Sequence, residues 1–416
     1  MNDLSGTETV SAQAPAWGRA RRLNLQSLLL QASFMCIGIG QTLIYTIMPA
    51  LGRQFHLSEV QVGGIFLLSS LLWVVTTPWW GRRSDIWGRR RVLVFGLAGF
   101  ALSFVLFAGT ADLLRFDWVP VFMAYGLLIG FRCLFGLLGS GIMPAGLAYV
   151  ADRTMGPERT RAVAGLTAAN AFGNIVGPGL GAALTVISLT APFYGLALLV
   201  ALLAIGVHFR LDGRVPAETG RGRPTLSMLD RRIWRALLIG VVAGTGQAIM
   251  VQSVEFYFMD VFALPVSAAV HVVGLALMLV AAAALIAQAV VFPMLRLAAG
   301  TGELLGLIIG LMAYAGFLMA GHTAPAILAL VATGFGYGLC RPGNVARASL
   351  AVGPSEQGGV AGLTGSAWAI GYILVPILVM PLYHLAPRLP YMVVVGLMAV
   401  AVLLSATDRY RLRRAG

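Results

Sequence analysis

Three arginines in this 416-residue chain stand inside long apolar runs, Arg132 within residues 119–150 and Arg341 and Arg347 within 324–350. A charge at mid-membrane depth costs about 2.5 kcal/mol or more on insertion scales. Arg132, near the middle of its run, is therefore expected to face protein or water, with a structural ion pair as the alternative to a functional role. Arg341 lies nearer one end, where it either reaches a cavity or snorkels or binds the loop that follows its run. Carboxylates are rarer in such runs. Glu255 and Asp260, toward the far end of 234–262, are the ones that could carry a proton along a passage. Glu255 lies eight residues past Gln247, roughly 12 Å of helix rise, and reads slightly better as a surface carboxylate. A third charged feature is "GRRSDIWGRRR", residues 81–91, with five arginines and the single acid Asp85. No nucleotide-binding loop or metal-ligand cluster appears, so neither an ATP-driven machine nor a metalloenzyme is expected.

The elements that must position these groups follow from composition. Charged residues make up 11% of the chain and hydrophobic residues 58%, whereas soluble domains carry about 25% charge. Twelve apolar runs can be drawn, at 25–50, 60–80, 92–111, 119–150, 162–187, 191–209, 234–262, 268–292, 303–321, 324–350, 359–385 and 390–406. Each approaches or exceeds the roughly 20 residues a membrane helix needs, and none alternates like a barrel strand. The expected fold is an all-α membrane protein with twelve transmembrane helices. Residues 1–23 show no cleavable signal pattern, so the first run should persist as a helix. Cys36, Cys133 and Cys340 all fall within runs, which leaves a disulfide framework unsupported.

Net charge +13 would suggest a nucleic-acid partner in a soluble protein. Topology explains it better, and no nucleic acid is expected. All 29 basic residues are arginine, and 23 lie in the tails and the even-to-odd loops; Arg53, Arg115 and Arg388 lie opposite. That asymmetry places both termini in the cytoplasm. The expected layout is an N-terminal tail (1–24), a six-helix bundle (25–209), a linker (210–233), a second bundle (234–406) and a C-terminal tail (407–416).

The halves echo one another. "GPERTRAVAGLT" (156–167) matches "GPSEQGGVAGLT" (353–364), and "GIGQ" (38–41) matches "GTGQ" (244–247). Two pseudo-symmetric six-helix bundles, with a substrate site near the midplane between them, are expected of such a repeat.

Further motifs narrow the class. Gly81, Asp85, Gly88, Arg89, Arg90 and Leu93 resemble the loop between helices 2 and 3 of the major facilitator superfamily. Gly173, Gly177, Pro178 and Gly181, in "GNIVGPGLGA", resemble the antiporter motif of its twelve-helix drug:proton branch, with Ala182 replacing the final glycine. Arg132 with Gly136, Gly139 and Gly141 resembles the family's arginine motif in helix 4. The resemblance implies that Gly81 permits close helix contact and that Asp85 faces the start of helix 11 and pairs with Arg89. Asp152 is linked with Arg89 on the same basis. Two departures stand out: residues 292–305 carry no acid equivalent to Asp85, and Gly40 occupies the place of an aspartate in many drug exporters. A proton carrier in the first helix is thereby put in doubt.

Remaining polar residues in the runs are candidate substrate or coupling groups: Gln41, Tyr45, Asn170, Asn174, Gln247, Tyr337, Arg341, Asn344, Trp368 and Tyr372. Tyr337, Arg341 and Asn344 are spaced to share one face. Hydrogen bonds between helices and ordinary packing are equally good readings of these residues. Two fixed positive charges in one cavity would favour an anionic, amphipathic substrate. The expectation is a non-enzymatic secondary transporter that exports a drug or siderophore-like metabolite. It would work as a monomer in the bacterial inner membrane, in exchange for protons and without a cofactor. A nutrient importer and a non-transporting membrane sensor are the alternatives.

Overall fold

The computed structural model describes residues 16–213, 227, 230–353 and 356–415. The first fifteen residues of the expected N-terminal tail, most of the linker (214–226, 228 and 229), Pro354 and Ser355 of the second repeat, and Gly416 lie outside the described residues.

Twelve long helices follow one another with no strand among the described residues. They are α1 (Ala16–Gln54), α2 (Glu59–Trp87), α3 (Arg89–Arg115), α4 (Val121–Ala151), α5 (Gly156–Leu184) and α6 (Ala191–Arg210) in the first half. The second half holds α7 (Trp234–Asp260), α8 (Val266–Met294), α9 (Ala299–Met319), α10 (Thr323–Leu350), α11 (357–385) and α12 (Leu389–Ala415). Eleven of them are long and apolar enough to cross a membrane. The twelfth, α5, matches them at 29 residues, but glycine, alanine and two asparagines dilute its apolar character.

Local chemistry sets the boundaries. Ser58 caps α2 by accepting from the Gln61 N–H while the Gln61 side chain accepts from the Ser58 N–H, which satisfies two otherwise free donors. Between α2 and α3 the chain turns at Gly88 with φ +92°, a conformation costly for any residue with a Cβ. Pro157 opens α5, where its missing N–H is harmless.

Glycines set how closely the helices approach. Those of the α5 motif face α1: a methyl added at Gly173 would run into the Met35 carbonyl, and one at Gly177 would lie 2.9 Å from the Ile39 carbonyl oxygen. From the other side, a methyl on Gly38 would meet Asn170 and Asn174. In the second half, Gly244 abuts the Trp368 backbone and Gly371 abuts Gly244. The α1–α5 and α7–α11 pairs are thus repeats of one contact, as the matched "GIGQ" and "GTGQ" imply.

The halves meet along α5 and α8, α2 and α11, and α1 with α7 and α8. A Cβ built on Gly274 of α8 would lie 3.0 Å from the Pro178 carbonyl oxygen of α5, and one on Gly63 of α2 would lie 3.1 Å from Met380 of α11. We call the end carrying residues 81–91 and the linker the arginine end, and the opposite one the far end.

Candidate functional site

Midway along the bundle, a belt of aromatic residues joins Arg132 and Arg341 across the halves. Arg132 is 4% exposed, and its Nε and Nη1 make no hydrogen bond. Its guanidinium sits 4.3 Å from the Phe135 ring centroid and 6.0 Å from that of Phe104. Phe135 opens a π-helical turn, Phe135–Gly139, a distortion that often marks functional positions. Tyr45 of α1 lies within electrostatic reach of Arg132. Its ring is 6.1 Å from that of Tyr372 on α11, which lies in turn within reach of Arg341. Arg341 stacks over Trp368 at 5.3 Å and is exposed although its neighbour Cys340 is buried. Trp368 is 6.1 Å from Tyr337, whose hydroxyl meets that of Tyr314 at 3.0 Å. Gln41 and Gln247 are half-buried on α1 and α7.

A cation–π contact supplies about 2 kcal/mol when desolvated, less than the desolvation penalty of a guanidinium. Arg132 is therefore an under-satisfied buried cation.

Other candidate residues are engaged in packing. Asn170 donates to the Phe34 carbonyl at 3.1 Å and accepts from Asn174 at 3.4 Å, tying α5 to α1. Asn344 does not share the Arg341 surroundings. It is fully buried and donates to the Ala236 carbonyl (2.9 Å) and to Glu303 Oε2 (3.1 Å). Glu303 also accepts from Ser405 and pairs with Arg347. The expected common face of Tyr337, Arg341 and Asn344 thus divides, because α9 supplies a buried carboxylate that draws the asparagine away.

At the arginine end, Arg89 is buried and organises the loop. It donates to Asp152 at 3.1 Å and to Ser84 at 2.6 Å, and pairs with Asp85. Arg90 donates to the Leu211 carbonyl, fixing the start of the linker. One implication of the resemblance differs from this geometry. A methyl at Gly81 would meet Pro144 at an ordinary 3.8 Å, so no close contact depends on it here. Asp85 is 59% exposed and pairs with Arg89; at the start of α11, Glu356 pairs with Arg232. The first network stays within the first half, and the second ties the end of the linker to the second half. Arg232 holds the Asp230 and Glu356 carboxyls below the usual carboxylate range through its hydrogen bonds.

The far end is different, for its charges cross the halves. Arg53 of α1 donates from one Nη2 to both oxygens of Asp260 on α7 (2.8 and 2.7 Å) and lies 2.7 Å from Glu59. Tyr383 of α11 donates to Asp260 at 2.8 Å, and His384 lies 3.4 Å from Glu59. Sequence reasoning gives Arg53 no role beyond topology. The repeat carries a signal, however: Gly38 matches Gly244, so position 53 matches 259, beside Asp260. Just inside this cluster Glu255 is 1% exposed, which corrects the expectation of a surface carboxylate. The helix face that carries it is covered by α1, whose Ala50 backbone lies beside it. Neither of its oxygens has a hydrogen-bond partner.

Known proteins fit this architecture. The family description "Major Facilitator Superfamily" matches residues 32–376, and the chain belongs to that family. It is similar to "Multidrug resistance protein 1" of Bacillus subtilis (strain 168), with 27% identity over 92% of this chain and 96% of that protein. "Multidrug resistance protein 2" of the same organism is 32% identical over 46% of this chain; the match spans 44% of that relative. "Tetracycline resistance protein, class B" of Escherichia coli is 34% identical over 42% of this chain and 41% of that protein. Among solved structures, a mutant of the nucleoside transporter NupG has a TM-score of 0.73 at 14% identity, covering 92% of this chain and 99% of that one. A bacterial homolog of the human lysosomal transporter Spinster, inward-facing and occupied, has a TM-score of 0.70 at 13% identity, covering 96% and 98%. The chain is an integral membrane transporter of this superfamily rather than an enzyme.

Proposed function

We propose that this transporter exports a small amphipathic anion from the bacterial cytoplasm by alternating access, in exchange for protons and as a monomer. The observation that carries the reading is the buried Arg132 with free N–H groups, joined through Tyr45 and Tyr372 to the exposed Arg341. Two fixed cations in a low-dielectric passage select a carboxylate-bearing drug or siderophore-like metabolite over an organic cation. Aromatic rings around them suit the apolar body of such a molecule.

Arginine asymmetry supports a cytoplasmic arginine end. On that orientation the far end is outside, and the cross-half ion pairs of Arg53 seal it, so the substrate site opens inward. The α5 glycine–proline motif and the drug-resistance relatives support export over uptake. Ligand-induced thermal stabilisation of the purified protein tests the selectivity. Amphipathic carboxylates should raise the melting temperature in wild type and lose most of that effect in Arg132→Gln. Equal or larger stabilisation by the matched amides or amines would contradict the reading.

A further inference from the structure

Glu255 is buried at the junction of the halves, and its surroundings give it no counter-charge. The cation reaching across the junction here, Arg53, is already committed to Glu59 and Asp260. One positive and two negative charges leave that cluster at −1 before Glu255 is counted. The other titratable groups of this end are His56 after α1, Asp112, Arg115 and Asp117 at the end of α3, Tyr194 on α6, Tyr257 on α7, His271 on α8, His322 before α10, Tyr383 and His384 on α11, and Arg388 and Tyr391 at the start of α12. Asp112 accepts from Thr190 and Tyr194, and Tyr391 meets Ser253. His384 leans on Glu59, and His271 donates from Nδ1 within its own helix, to the Ser267 carbonyl. A carboxylate sealed here without a hydrogen bond would cost several kcal/mol, whereas the neutral acid removes most of that penalty.

We infer that Glu255 is the proton-coupling residue of this transporter, and that the outer end closes only over its protonated form. This rests on the reading that transport is exchanged for protons. In the outward-open state outer water reaches Glu255; a hydronium ion gives up a proton, its O–H bond breaking to leave water as an O–H bond forms on the carboxyl. Closure then buries the neutral acid against α1. Gln252, one turn inward on the same helix, is also buried with both amide atoms unpartnered. Gln247 lies further along toward Tyr45 and Tyr372. This line of amides holds the water that receives the proton when the O–H bond breaks toward the cytoplasm. The carboxylate left behind destabilises the closed outer end and drives the loaded carrier outward. The assignment moves the coupling group to the second half, consistent with Gly40 in α1 where an acid is missing.

The test reads gate position separately from transport. Spin labels at the exposed Val186 and Met319, at the outer end of opposite halves, report the separation by pulsed electron resonance. In wild type the distribution should lengthen as pH rises from about 5 to about 9, a span that covers documented buried glutamates. Glu255→Gln, the permanent neutral mimic, should stay short throughout and lose proton-driven accumulation. Glu255→Asp should keep the pH response. A wild-type shift persisting in Glu255→Gln, or a pH-insensitive wild type that still exchanges protons for substrate, would overturn the inference. A Glu255-dependent shift without proton-driven transport would overturn the exchange reading and leave the gate assignment standing.

Discussion

Arg132 and Asp85 are charged residues held in opposite ways. Arg132 is buried with ring faces for neighbours and free N–H groups; Asp85 is exposed beside the well-satisfied Arg89. Removing an under-satisfied buried charge is often neutral or stabilising to the fold. Arg132→Met should therefore leave the melting temperature unchanged or higher. It should also raise the apparent KM for an anionic substrate about tenfold to a hundredfold, as expected for a lost charge-assisted hydrogen bond. Asp85→Asn should insert and melt like wild type, since Arg89 keeps Asp152 and Ser84, yet transport should be impaired. In the proposed alternating-access cycle, closure of the arginine end would bring Asp85 to the start of α11. Wild-type transport rates in that variant would remove the gating role. Both residues are plain in the sequence, because charge in an apolar run or a lone acid among arginines departs from the background. Asn344 is legible there only as polar; its partner Glu303 is forty-one residues away and no spacing rule links them.

The glycines of α5 act at the scale of the element. The backbones of α1 and α5 touch through Gly38, Gly173 and Gly177, with no room for a methyl. Gly173→Ala should destabilise by about 1–3 kcal/mol, as overpacking does. Gly126→Ala and Gly396→Ala, where nothing lies within 4 Å of an added Cβ, should be neutral or slightly stabilising in helix interiors. Thermal unfolding in detergent would separate the three. Helix count and the repeat are readable from apolar length and internal matches, and the motif glycines from their resemblance to a family motif. The π turns at Phe135–Gly139, Ala287–Val291 and Val375–Val379 are not, since one extra residue in a turn leaves the hydropathy pattern intact. At the arginine end, the Asp230–Arg232–Glu356 network offers a pH prediction. Folded-state carboxyl values below the ordinary ones mean that its stabilisation is full at neutral pH and fades only as pH falls through those lowered values. The effect of Arg232→Ala on melting should then be constant from about pH 6 to 8 and shrink in acid.

For the whole molecule, the decisive asymmetry is where charge crosses between the halves. At the far end Arg53, Glu59, Asp260, Tyr383 and His384 connect them; at the arginine end the Arg89 network stays in the first half and the Arg232 network ties the end of the linker to the second. The Arg53–Asp260 pair is partly exposed on both sides, 32% and 29%, and such pairs contribute about 0–1 kcal/mol, so this part of the seal is weak enough to reverse in every cycle. Arg53→Ala should shift the spin-label separation at the outer end toward longer distances with little change in expression. This latch is the least legible part of the chain. Its members are ordinary end-of-helix residues whose meaning depends on two halves packing together, and only the repeat register places Arg53 against Asp260.

Accumulation of amphipathic carboxylates in inside-out membrane vesicles tests proton-driven export most directly. With an acid-inside gradient, vesicles containing the wild-type protein should concentrate the anion, and a protonophore should abolish the effect. Glu255→Gln vesicles should only equilibrate it. Accumulation indifferent to the gradient, or confined to right-side-out vesicles, would contradict the account.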